Sequence, residues 1–125
     1  MTNLFNKLHL IIKFKVYVYL LVIRKRLYSF FGNKDLMINI GGGLFFRPHW
    51  KVMDHVSPYY PFAEKYIDYD IDLMGTPRFQ LADESVLIFY SSHTLEHIPQ
   101  EFCQNILNEI YRCLKPGGVV RLTMP

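Results

Sequence analysis

Three clusters in this 125-residue chain carry residue types that can do chemistry. Gly41-Gly42-Gly43 follows a short apolar run. Three glycines let a backbone approach a ligand closely and leave amide N–H groups free for a carboxylate or a phosphate, although a flexible turn has the same composition. Asp54 ends a second apolar run, 11 residues after Gly43. A carboxylate there can accept both hydroxyls of a ribose, and otherwise is an ordinary solvated turn residue. Asp70 and Asp72 close a third run. His93-Thr94-Leu95-Glu96-His97 matches H-x-x-E-H, the inverted zinc-protease signature. On a helix its two histidines would share a face. A zinc site also needs a third protein ligand and a water, and Glu101 and Glu109 are the only acids after His97. The expectation is no metal.

These clusters need elements to hold them. Leu36–Ile40 is apolar between turn residues and predicts a buried strand. Lys51-Val52-Met53, ending at Asp54, predicts a second. Residues 66–71 alternate large apolar with acidic side chains and predict a third. Residues 86–90 form an unbroken apolar run, as in a central parallel strand buried on both faces. Residues 99–114 predict a helix: Pro99 suits its first turn, Phe102, Ile106, Ile110 and Cys113 recur at helical spacing, and Gly117-Gly118 ends it. Residues 119–123 predict a fifth strand. Short apolar strands joined by loops and a helix imply an α/β fold with an open, mainly parallel sheet of about five strands. In such a sheet the end of the second strand lies beside the end of the first across a ligand crevice, which sets Asp54 next to the glycine turn. The dinucleotide fingerprint G-x-G-x-x-G fails, because Phe46 stands at its last position.

Charge divides the chain at the turn cluster Gly32-Asn33-Lys34-Asp35. Residues 1–34 hold seven Lys or Arg and no acid, whereas residues 35–125 hold seven against eleven Asp or Glu, a net of −4. The basic character sits in an arm and not on the body, which argues against nucleic-acid binding. The expected organisation is a basic apolar segment 1–34 followed by a domain 35–125. Residues 8–23 are apolar except for His9, Lys13 and Lys15. The run is 16 residues long, shorter than the ~20 of a transmembrane helix. It has no small-residue cleavage site of a signal peptide. An interfacial helix would gather its charges on one side, yet Lys7, Lys13 and Lys15 point three ways. Val16-Tyr17-Val18-Tyr19 has strand-like propensity. A helix packed on the domain or on a membrane surface, and a membrane anchor, both stay open. Cys103 and Cys113, ten residues apart on the predicted helix, lie roughly 15 Å apart by helical rise, beyond disulfide reach, and are read as reduced thiols of a cytoplasmic protein.

Taken in order, Leu36-Met37-Ile38-Asn39-Ile40-Gly41-Gly42-Gly43, then Trp50 and Asp54, then Ser91-Ser92-His93-Thr94-Leu95-Glu96-His97-Ile98, and last Leu114-Lys115-Pro116-Gly117-Gly118 resemble a class I S-adenosylmethionine-dependent methyltransferase. The closest likeness is to small methyltransferases linked to cell-surface polysaccharide synthesis, with patterns such as LNIGCG…W…D and YSSHxLEH. It covers residues 36–125. Two positions depart from it: Phe45 stands where G-x-G-x-G has its third glycine, and Val86-Leu87 replaces the usual Phe-Asp before the fourth strand. The resemblance implies a Rossmann-like fold with five of seven strands, an incomplete class I domain. It implies S-adenosylmethionine as cofactor and methyl transfer to a small-molecule or sugar acceptor. Gly41, Gly42 and Gly43 would line the methionine side, Asp54 the ribose, and Asp72 with Leu73 the adenine, a better match than Asp70-Ile71. Ser92 and His93 would stand near the reacting centre, and no catalytic base is assigned. The rival reading is a non-catalytic remnant acting as a binding or membrane-associated module. Two contacts are expected: peripheral membrane contact through residues 1–31, at the inner membrane surface, and self-association along the edge of strand 119–123, which residues 16–23 could cover as an added strand.

Overall fold

The computed structural model describes residues 2–31, 35–43, 47–59, 62–75 and 77–125. The boundary cluster 32–34 and the departures at Phe45 and Phe46 lie outside them. Five strands form one sheet: β1 (Leu36–Ile40), β2 (Trp50–Asp54), β3 (Tyr69–Asp70), β4 (Val86–Ser92) and β5 (Leu114–Thr123). Every pairing is parallel and the order is β3-β2-β1-β4-β5. The chain steps outward from β1 through β2 to β3, then returns to the far side of β1 for β4. The strand order therefore reverses between β1 and β4, where open α/β sheets bind ligands at their carboxyl ends.

One core holds the strands at that point. Ile38 and Ile40 of β1, Met53 of β2 and Val86 and Phe89 of β4 are at most 1% exposed. They pack on Ile106, Ile110 and Cys113 of α3 (Gln100–Cys113), with Leu73 and Phe79 from the connecting loop. The spacing of those three helix residues, four and then three, keeps them on one face. Cys103 and Cys113 are both free and both on α3, and burial pushes the Cys113 thiol up.

Two elements differ from the sequence expectation, and the arm takes the helical form among the readings left open for it. The stretch predicted as one strand over 66–71 is a helical turn, α2 (Ala63–Tyr66), followed by the two-residue β3. The alternation was real but served two purposes. Tyr66 is buried against Val18, and Asp68 turns aside to accept the Val52 N–H at 2.8 Å and to pair with Lys25 and Lys51. Next, β5 begins at Leu114 and not at 119. Val86 pairs with Leu114 and Ile88 with Val119, so Lys115-Pro116-Gly117-Gly118 forms a bulge inside the strand, with Gly117 at φ +78°. Last, the arm is a single helix, α1 (Thr2–Phe31). The strand-like run Val16-Tyr17-Val18-Tyr19 is helical because Val18, Phe14 and Val22 pack on Ala63 and Tyr66, and tertiary contact overrides propensity. Burial pushes the Lys25 ammonium below the usual lysine range even though Asp68 opposes the shift. Residues 16–23 thus do not cover β5. That strand is the sheet edge, with Val119 54% exposed. No helix among the described residues is long and apolar enough to cross a membrane.

Arg112 at the end of α3 fastens the loop that enters β4. Its guanidinium donates to the Leu81 and Phe79 carbonyls at 3.0 and 3.1 Å and pairs with Asp83 and with Glu109, which also accepts the Phe79 N–H at 2.8 Å. The Arg112 hydrogen bond holds the Glu109 carboxyl below the ordinary carboxylate range. A depressed folded value means this stabilisation is complete above the ordinary range and is lost as pH falls through the folded value. Glu109→Gln is expected to lower the unfolding free energy at neutral pH by ~1–3 kcal/mol and to flatten the acid side of the stability profile. Urea unfolding across a pH series measures both, and an unchanged profile would refute the assignment.

Candidate functional site

The glycine turn grows directly out of the β1–β2 ladder. Ile40 pairs with Met53, and the next amide, Gly41 N–H, donates to the Met53 carbonyl at 2.8 Å. Gly41 and Gly43 adopt φ of +66° and +49°, the left-handed region that favours glycine. Gly41 also needs to lack a side chain, since a Cβ there would sit 2.1 Å from Thr94 Oγ1. Gly43 faces open space, with nothing within 4 Å of such an atom. Gly42 is buried, and a Cβ on it would meet Asn39 Nδ2 at 2.9 Å. It seats the turn on the sheet and does not line the cleft.

Asp54 ties this turn to the end of β2. Its Oδ2 accepts the Gly43 N–H at 2.9 Å and its Oδ1 the His55 N–H at 2.8 Å. An ionised carboxylate has about four lone-pair sites, so the same group can accept two further donors. Asp70 is spoken for elsewhere. One of its oxygens takes the Val56 N–H at 2.8 Å and lies 3.1 Å from His55 Nδ1. Asp72 accepts the Met74 N–H at 2.8 Å, which rigidifies the loop after β3 and leaves the Asp72 side chain exposed. Leu73 is 7% exposed and joins the core.

Beyond β4 the chain turns sharply at His93, a non-glycine residue at φ +52°. Its N–H donates to the Thr123 carbonyl of β5 at 2.9 Å, and its Nδ1 lies 3.2 Å from Glu96 Oε1. Thr94 Oγ1 reaches the Ser92 and Ile40 carbonyls at 3.2 and 3.4 Å, so this loop rests on the end of β1. Leu95–His97 is a single 3-10 turn. His93 and His97 therefore do not share an α-helical face, and the geometry of the zinc-protease signature is not formed. Among the described residues no three His, Cys, Asp or Glu gather as a metal-binding group. Ser91 is buried with its Oγ lacking a hydrogen-bond partner among the described residues.

Six of the eight residues singled out in the sequence meet in one cleft of about 270 Å³: Gly41, Gly43, Asp54, Asp72, Leu73 and His93. Gly42 and Ser92 do not line it; Ser92 instead pairs with Thr123 in the ladder. His55, Ile71, Met74, Thr94, His97 and Ile98 complete the wall and were not assigned to the cofactor from the sequence. His55 had a signal, since it follows Asp54 at a strand end. Thr94 had none, because its role is a tertiary contact to β1. Among the described residues the lining has two carboxylates and three imidazoles but no Lys or Arg. Such a surface suits a ligand that offers hydroxyl and amine donors, and is poorly matched to a polyphosphate. A larger hollow of about 710 Å³, walled by Leu10, Tyr17 and Phe62, lies along α1 and lacks this chemistry.

Residues 55–122 match the family model described as a methyltransferase domain. Among solved structures, the chain is similar to a Methanococcus maripaludis protein assigned as an S-adenosyl-L-methionine-dependent methyltransferase. The TM-score is 0.52 and the identity 16%, over 86% of this chain and 55% of that one. The chain thus spans about half the length of that structure, and the likeness is one of fold. No curated protein sequence matches significantly.

The glycine geometry separates two substitutions. Gly41→Ala combines left-handed strain with a collision and is expected to destabilise by on the order of 2–4 kcal/mol. Gly43→Ala carries the strain alone, about 1 kcal/mol. Urea denaturation of both variants provides the comparison, and equal losses would contradict the close approach of Thr94.

Proposed function

Because the chain belongs to the methyltransferase domain family, we propose that its cleft binds S-adenosyl-L-methionine and that the protein transfers a methyl group to a small-molecule or sugar acceptor. The observation that carries this reading is the Gly43–Asp54 link at the ends of two adjacent parallel strands, inside a cleft with two carboxylates and, among the described residues, no Lys or Arg. The donor set fits the cofactor. Asp54 retains acceptor capacity for ribose hydroxyls, and Asp72 beside the apolar Leu73 offers an acceptor for an adenine amino group. Gly41 and Gly43 let backbone approach the methionine portion, with Gly42 supporting them. His93, at the turn after β4, would face the reacting centre, whereas Ser92 lies in the ladder outside the cleft.

Bound S-adenosyl-L-methionine supplies an electrophilic methyl group on a sulfonium. The protein's share is to hold an acceptor in line with it, which can lower a barrier by several kcal/mol through orientation. His93 Nδ1 lies 3.2 Å from Glu96 Oε1. With the hydrogen on Nδ1 and bonded to that carboxylate, Nε2 would be the ring atom free to accept from an acceptor hydroxyl. An acceptor that is already nucleophilic needs no such base.

A second, non-catalytic reading is favoured by one feature. The β5 edge exposes Val119, Val120 and Leu122 with Arg121 as the single charge among them. Such an edge is a template for pairing with another chain, and a binding module could use it. Light scattering is expected to show a dimer or larger species that dissociates in Val120→Lys; a monomeric wild type would remove this reading.

Calorimetry with S-adenosylhomocysteine tests the primary reading. The folded protein is expected to bind, and Asp54→Ala to weaken binding by ~1–3 kcal/mol, the scale for losing a charged hydrogen-bond partner. Asp70→Asn, outside the cleft, is the control and should bind as the wild type does. No binding, or equal binding by Asp54→Ala, would overturn the assignment.

A further inference from the structure

The geometry points to a second binding site, on the face of the sheet turned away from α3, for a small ring compound that carries a phosphate. Side chains alternate across a strand. Ile38, Ile40, Met53 and Phe89 pack into the core under α3, so Trp50, Ile88 and Tyr90 stand on the other face. Strand pairing sets their neighbours beside them. Met37 lies opposite both Trp50 and Ile88, Val119 opposite Ile88, and Arg121 opposite Tyr90. Arg47 is held just before β2 by a turn in which the Trp50 N–H donates to its carbonyl at 3.1 Å. Together Arg47, Trp50, Ile88, Tyr90, Val119 and Arg121 wall a groove of about 440 Å³.

The lining decides what the groove takes. The Trp50 and Tyr90 rings meet edge to face, with 6.1 Å between centroids at 67°, and Ile88 and Val119 extend that apolar wall. Val119 is 54% exposed. A ring lying here removes aromatic and aliphatic surface from water. Arg47 and Arg121 add two guanidiniums, and among the described residues no acid lines the groove. A guanidinium matches phosphate through its planar fork of donors. A phosphate monoester carries about −1.5 to −2 at neutral pH, which two arginines balance better than they would a single carboxylate. The cofactor cleft is the converse, with two carboxylates and, among the described residues, no Lys or Arg. The volume falls within the ~300–1,000 Å³ of small-molecule sites. A second copy of the chain suits the groove less well, because a two-fold contact through this face would set Arg47 and Arg121 against their own copies. The proposal does not depend on the methyl-transfer reading.

Trp50 is the single tryptophan of the chain, so its emission reports on the groove. Titrating the full chain with phenyl phosphate, phenol and inorganic phosphate offers ring and anion together, ring alone and anion alone. Phenyl phosphate is expected to give a saturable change, with a Kd about tenfold or more below that of either half. Arg121→Gln is expected to weaken phenyl phosphate by about tenfold and to leave phenol unchanged. Circular dichroism and melting of that variant should match the wild type, because Arg121 is exposed. Asp54→Ala, altered in the cofactor cleft, should bind phenyl phosphate as the wild type does. No saturable change in the folded wild type overturns the proposal. So does phenol or inorganic phosphate binding as tightly as phenyl phosphate, or full binding by Arg121→Gln. Loss of binding in Asp54→Ala overturns it as well, since the ligand would then sit in the cleft.

Discussion

A single carboxylate sets the geometry of the cleft. Asp54 accepts the Gly43 N–H at the end of one parallel strand pair, and the pair brings it there by register. Ile40 lies opposite Met53, and Gly41 N–H bonds the Met53 carbonyl, so the two strands end level. Neither strand can slip without exposing Ile38, Ile40, Val52 and Met53, each at most 1% exposed. The site is therefore held by the same burial that holds the fold, at the ends of its buried strands.

Most residues that support the cleft do not face it, and Thr94 does both. Thr94 props the His93 loop on β1, Gly42 seats the glycine turn on Asn39, and Arg112 with Glu109 fastens the loop into β4. None of these needs to touch a ligand for its loss to disturb the cleft. Asp68 plays the same part on the other side, bonding the Val52 N–H while it anchors Lys25 of α1. Its carboxylate couples the arm to β2, two residues before Asp54.

Much of this arrangement was legible in the sequence. The strand Leu36–Ile40, the helix near 100–113 and the buried run from 86 appear where apolar spacing puts them, because each buries a face whose period the sequence repeats. The glycine turn with Asp54 could be read together since parallel strand ends in such sheets are neighbours. What was hidden depended on tertiary contact. The run 66–71 alternates as a strand does, yet Tyr66 packs on α1 and Asp68 bonds β2. The bulge at Lys115-Pro116-Gly117-Gly118 lengthens β5 by pairing Leu114 with Val86, a partner no local pattern names. The match of H-x-x-E-H to a zinc signature failed for a local reason, the left-handed turn at His93.

The central claim is that the cleft between the ends of β1, β2 and β4 is where S-adenosyl-L-methionine binds. Amide chemical-shift mapping of isotope-labelled protein titrated with S-adenosylhomocysteine tests it most directly, since it locates the ligand without requiring an acceptor or turnover. The expected result is saturable shifts at Gly41, Gly43, His55, Asp72 and His93, with the amides of Val119 to Leu122 and of α1 unmoved. Shifts confined to the opposite face of the sheet, around Trp50 and Arg121, or no shifts in the folded protein, would contradict the account.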